Sequence, residues 1–161
     1  MNSLPHPSAL LVTAFNGLVV AYDRASGGTA WTFSVPGKSV PGVRPRPTHV
    51  EVHDGRVFVF AAGSDGVLKK RVFVDVHALD HESGRPLWTQ RVAAAHAPDF
   101  TSAVVLVDAG QVIVSYHEVL VAFAADTGEP QWTRSSEHGD GGVYSLQLQL
   151  GVHGGRGRPL T

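Results

Sequence analysis

Two imidazoles and a carboxylate stand at alternate positions in Thr48-His49-Val50-Glu51-Val52-His53, within a chain that carries nine histidines. On an extended strand His49, Glu51 and His53 share one face while Val50 and Val52 share the other. Side chains of these types could contribute to the coordination of zinc or another divalent ion, and an open fourth position would activate a water. Distance argues against it. Residues i and i+4 of a strand lie about 13 Å apart, too far for both imidazoles to reach one ion through bonds of ~2 Å. The stripe therefore reads as a solvated face, and a metal site would need a further ligand from another repeat, such as His77 or His81.

Other chemistries are narrowed by composition. The chain has no cysteine, which removes disulfides, thiolate nucleophiles, iron–sulfur clusters and cysteine-ligated zinc. No Ser/His/Asp arrangement can be recognised from residue order, and no Gly-Lys-Ser/Thr phosphate cradle occurs. Thirteen Lys and Arg against fourteen Asp and Glu leave a formal charge of −1, so no field is available to steer a nucleic acid. Lys69-Lys70-Arg71 and Arg44-Pro45-Arg46 read as small solvated basic loops. The apolar runs fall short of the ~18 residues that span a bilayer, so no membrane insertion is expected. The first seventeen residues lack the ingredients of a signal peptide: the first basic residue is Arg24, and Pro5 and Pro7 interrupt the start. A cytoplasmic protein is the expectation, with the natural start left open.

The elements that must position these groups are short strands. At 161 residues the chain holds one domain's worth of core, and 18 Gly, 10 Pro and a single Met favour strands and tight turns over helices. A repeat organises them. Ala21-Tyr22-Asp23-Arg24-Ala25-Ser26-Gly27-Gly28-Thr29-Ala30-Trp31 aligns without gaps on Ala78-Leu79-Asp80-His81-Glu82-Ser83-Gly84-Arg85-Pro86-Leu87-Trp88. A third copy runs from Ala122 through Thr127 and Gly128 to Trp132, with Ala124 where the others have Asp23 and Asp80. All three tryptophans occupy the same repeat position, 57 and then 44 residues apart. In each copy a β-rich run ends in a small residue, a Ser/Thr-Gly turn reverses the chain, and Trp is expected to open the next strand. Asp23 and Asp80 are expected to cap their own turns. Runs apolar on both faces, such as Val57-Phe58-Val59-Phe60, fit sheets stacked between sheets, as in radially arranged four-stranded blades.

The pattern Ala-x-Asp-x-x-Ser/Thr-Gly-x-x-x-Trp resembles the tryptophan-docking repeat of the PQQ-like (quinoprotein dehydrogenase-like) β-propellers. The resemblance implies that Trp31, Trp88 and Trp132 staple adjacent blades by packing against the small Ala and the Gly-containing turn. It also brings a possible enzyme into view, because quinoprotein dehydrogenases of this family hold PQQ at the axis of an eight-bladed ring, over a tryptophan floor and beside a calcium. The chain departs from that pattern: it has too few blades, no adjacent cysteines, and only Asn2 and Asn16 as asparagines.

The fold expected is an all-β propeller segment of about three four-stranded blades, at 8–36, 45–94 and 100–136. Pro36 to Pro47 and Gly63 to Lys70 are expected as surface loops. The first blade lacks an innermost strand, and Val143 to Leu150 reads as one strand left over. A pairing of the two suggests a closing clasp, and since closed propellers have typically 4 to 8 blades a two-chain, six-blade ring is the preferred completion, the alternatives being blades supplied by another polypeptide or a longer propeller of which this is a fragment. Residues 151–161 read as a disordered tail. The function expected is a non-catalytic scaffold or binding module, with no cofactor, whose partner is another protein or a second copy of itself, a dimer being preferred. The alternative is an enzyme or metal-binding protein related to the quinoprotein dehydrogenases, with a site assembled between chains.

Overall fold

The computed structural model describes residues 8–37, 46–65, 71–94, 103–135 and 150–160. Among these the regular elements are all strands, grouped into three stacked antiparallel sheets and a small hairpin. The first sheet contains β1 (Leu10–Phe15), β2 (Leu18–Asp23) and β3 (Thr29–Ser34). The second contains β4 (Thr48–His53), β5 (Arg56–Asp65), β6 (Arg71–Asp80) and β7 (Pro86–Ala93). The third contains β8 (Val104–Asp108), β9 (Gln111–Tyr116), β10 (Val119–Ala124) and β11 (Pro130–Ser135). Near the C-terminus β12 (Gly151–Val152) pairs with β13 (Gly155–Arg156), and β14 (Arg158–Pro159) adds to the free edge of β8. The all-β, three-sheet segment expected from the sequence is the one observed.

Local chemistry explains the meander. Asn16-Gly17, Asp54-Gly55 and Ala109-Gly110 each join two strands through a two-residue turn in which both residues have positive φ, between 46° and 79°. That left-handed pair matches the twist of a hairpin, and Asn, Asp and Gly are the residues that adopt it at least cost. Ladder alternation then sorts the sheet faces. Val19, Ala21, Trp31 and Val35 of the first sheet pack against Val57, Val59, Ala61 and Leu79 of the second. The opposite face of the second sheet, with Phe58, Phe60, Val74, Val76 and Ala78, packs on Val105, Val112, Val114, Tyr116 and Phe123 of the third. The second sheet is thus apolar on both faces because it is covered on both.

Several sequence expectations meet a different structure. Gly63 to Asp65, expected in a loop, complete β5 and pair with Arg71–Phe73 of β6. A Cβ at Gly63 would collide with the Phe73 ring, so a residue that reads as a loop marker is instead a close approach. Arg46, expected on a solvated loop, is inserted: its Nε donates to Ala62 O and its Nη1 to Pro36 O at 2.9 Å. The 151–161 segment, expected as a tail, is anchored. Arg158 and Pro159 pair with Val105 and Val104, Leu160 N donates to Ala103 O at 2.9 Å, and the Leu160 side chain is buried in the core. The Pro-Gly-rich residues 38–45, the basic pair Lys69-Lys70 and residues 143–149 of the surplus strand lie outside the described residues. Among those described, the first sheet has no counterpart of β4 and β8.

Candidate functional site

The repeat motif builds the same joint twice. Ala21 faces Trp31 in its ladder, Ala78 faces Trp88 and Ala122 faces Trp132, and each of these alanines is fully buried. A bulge follows each pair and leads into the motif turn. In the turns, Gly27 N donates to Asp23 O, Gly84 N to Asp80 O and Gly128 N to Ala124 O, all at 2.8 Å. Asp23 Oδ1 also accepts from Ser26 N and Oγ at 2.8 Å, and Asp80 Oδ1 from Ser83 N at 2.8 Å and Oγ at 2.7 Å. The serine hydroxyl and backbone N–H hold both carboxyls below their ordinary range. Ala124 gives the third turn the same backbone bonds without a carboxylate, which identifies Asp23 and Asp80 as turn caps.

Each docked tryptophan reaches the turn of the following sheet. Trp31 Nε1 donates to His81 O at 2.9 Å, and Trp88 Nε1 donates to Ala125 O at 3.0 Å. The rings cover Gly84 and Gly128 so closely that a Cβ at either glycine would sit 2.5 Å from an indole carbon. Gln90 Nε2 adds a bond of 2.9 Å to Gly128 O. Phe58 and Phe123 flank Trp88 at ring separations of 6.0 and 6.4 Å. The two ends of the stack differ. Trp31 is 8% exposed, whereas Trp132, with no following sheet among the described residues, is 40% exposed. At the other end Gly27 is exposed, and a Cβ placed on it would meet nothing within 4 Å.

The first sheet's outer face exposes several apolar side chains. Register places Leu11 opposite Tyr22, Thr13 opposite Val20 and Phe15 opposite Leu18, all on the side away from the second sheet. Leu11, Phe15 and Leu18 are 56%, 73% and 46% exposed.

The His49, Glu51 and His53 stripe is held differently from its sequence reading. It points toward the third sheet and is half-buried, while Val52 on the opposite face is exposed. His49 Nε2 bonds Glu51 Oε1 at 2.9 Å, Arg158 Nε approaches the same oxygen at 3.4 Å, and His53 Nδ1 turns to Asp54 Oδ2 at 3.0 Å. The bond from His49, with the neighbouring charges of His49, Arg158 and His53, holds the Glu51 carboxyl low. Glu51, Arg156 and Arg158 line a cleft of about 630 Å³ with Val105 and Asp108. The structure does not bring His77 or His81 into this group. His77 bonds Thr89 Oγ1 at 3.0 Å and packs on Phe33, and His81 Nε2 bonds Ser8 Oγ at 3.0 Å.

One cluster escaped the sequence reading. Asp75, buried in β6, accepts two bonds from Arg91, Nε to Oδ1 at 2.7 Å and Nη2 to Oδ2 at 3.0 Å, with Arg46 Nη2 at 3.9 Å. The Arg91 guanidinium lies 3.5 Å from the Phe73 ring centroid. Burial pushes the neighbouring His77 imidazole below its ordinary value, opposed by the charge of Asp75 and reinforced by Arg46 and Arg91. A lone Asp within the apolar run of β6 was the available signal.

A quinone and calcium do not fit these residues. Among the described residues no group of three His, Asp or Glu is disposed to hold an ion. Glu51 is committed to His49 and Arg158, and the indoles of Trp31 and Trp88 are enclosed between sheets with their N–H groups bonded to backbone.

Comparison with known proteins agrees with this architecture. A family model described as "Outer membrane protein assembly factor BamB" matches residues 15–154. Among solved structures, a europium-containing methanol dehydrogenase superposes with a TM-score of 0.51 at 21% identity, over 77% of this chain. The chain spans 22% of that protein's length, and the likeness is one of fold. No curated protein sequence matches.

Proposed function

The chain belongs to the PQQ-like β-propeller family, whose model is described as an outer membrane protein assembly factor, and we propose that it serves as a non-catalytic propeller segment that binds protein. The observation that carries this reading is the outer face of the first sheet, where Leu11, Phe15 and Leu18 are exposed, the last two paired across the ladder. Covering such a face removes apolar surface from water, which gives a protein partner a driving force. The family description, an assembly factor, is in keeping with a role in contact rather than turnover.

The test places a photo-activatable residue at Phe15 and, as a control, at the exposed Glu82 of the second motif turn. An adduct with a protein, whether a second copy or a different chain, is expected from position 15 and not from position 82. Equal labelling at both positions, or alcohol oxidation by the chain supplied with PQQ and calcium, would overturn the reading.

A further inference from the structure

The stack of sheets has a direction, and its two ends are complementary. At both internal joints a Trp from one sheet lies over the motif glycine of the next and donates its indole N–H to the residue that follows the motif's Asp or Ala: His81 after Asp80, Ala125 after Ala124. In the third sheet, the last of those described, Trp132 is 40% exposed and its indole N–H forms no bond among the described residues. The first of the described sheets has an acceptor turn that no indole of the described residues fills. Its turn has the same backbone bonds, Gly27 has the same positive φ (73°) as Gly84 (70°) and Gly128 (74°), and the space above Gly27 is open. Arg24 stands where His81 and Ala125 stand, directly after Asp23.

We propose that Trp132 of one copy docks on the Asp23–Gly27 turn of a second copy, donating its indole N–H to Arg24 O and joining the chains head to tail. This deepens the protein-binding reading and rests on it. The occupant is fixed by chemistry: the site for Trp132 must offer a bare glycine in a Ser/Thr-Gly turn with an outward carbonyl, and this chain displays one such turn unfilled among the described residues. The contact continues an interface the molecule already builds twice. It also covers the exposed Leu11, Phe15 and Leu18, which occupy the face equivalent to Val57, Val59 and Leu79 at the first internal joint. A contact between different patches closes into a ring when its rotation allows, and two copies would supply six blades, within the range of closed propellers of about 4 to 8.

The experiment measures solution mass by light scattering for the full chain and two variants. Trp132→Ala removes the donor. Gly27→Asn fills the acceptor with a residue that tolerates positive φ, at a position where the chain itself has nothing for the side chain to strike. The unaltered chain should show twice 17.1 kDa at micromolar concentration. Each variant alone should associate about 30-fold or more weakly, as expected for loss of an interface Trp contact. Mixing the two variants should restore pairing, because one contributes Trp132 and the other an open turn, a result that misfolding of either variant would not produce. A folded 17.1 kDa monomer at all concentrations, or a dimer indifferent to both substitutions, would overturn the proposal. A monomer that still gives an adduct with another protein from position 15 would sink self-docking alone and leave the protein-binding reading standing.

Discussion

The joints inside the stack and the ends of the stack are built from the same residues, yet they differ in what those residues do. Inside, Trp31 and Trp88 have their N–H groups bonded and their rings pressed on glycine. At the ends, Trp132 and Gly27 hold the same backbone frame with nothing docked among the described residues. The motif turn therefore forms without its tryptophan, through the backbone bonds and, at Asp23 and Asp80, a carboxylate cap. The turn's bonds thus do not depend on a docked indole.

The widest gap between the two regions should come from the tryptophans. Trp88→Ala empties a space between the second and third sheets and should cost about 3–5 kcal/mol, whereas Trp132→Ala should change the stability of the dilute chain by less than about 1 kcal/mol. Urea denaturation at low protein concentration measures both, and equal losses would erase the distinction. The glycines come next. Gly84→Ala and Gly27→Ala share the cost of a side chain at positive φ, roughly 1–2 kcal/mol. Gly84→Ala should add about 1–3 kcal/mol of overpacking against Trp31, a difference that thermal melts of the two variants would show.

The smallest effect is a dependence on pH. His77 lies at the joint between the first and second sheets, and its folded pKa is pushed down, chiefly by burial. Above its ordinary value of about 6.5 neither state carries the proton and the residue contributes no slope. As pH falls through that value the unfolded chain binds a proton that the folded chain refuses, so stability declines until the folded pKa is reached. His77→Gln should flatten the stability profile as pH falls below about 6.5. Asp23 and Asp80 work in a separate, more acid window: their lowered pKa values stabilise the fold above about pH 4, and that contribution is lost as pH falls through the folded values. A slope unchanged by His77→Gln would place the titration elsewhere.

Much of the fold was legible because it is repetitive and local. Three aligned tryptophans, the Asn16-Gly17 and Asp54-Gly55 turns, and the doubly apolar run of β5 each specify structure within a few residues of themselves. Misreadings arose where a local signal met a distant partner. Arg46 and Gly63 carry loop chemistry, yet the carbonyl of Ala62 and the ring of Phe73 draw them into the second sheet. Residues 151–161 have a composition that suggests a tail, but the free edge of β8 offers backbone groups for Arg158 and Pro159 to pair with. The His49-Glu51-His53 stripe was placed on the correct shared face, while its cover by Arg158, more than a hundred residues away, left no trace in the local pattern. The polarity of docking, from each Trp to the glycine of the following repeat, was likewise invisible in an alignment that makes all three copies look alike.

The most direct measurement follows exchange of the three indole N–H protons by NMR as protein concentration is raised. Two protected indoles, from Trp31 and Trp88, and one fast-exchanging indole, from Trp132, are expected in the dilute chain, with the third becoming protected as copies join. Three equally protected indoles in a dilute monomer, or a Trp132 indole that stays fast at every concentration, would contradict a stack that docks inside and waits at its ends.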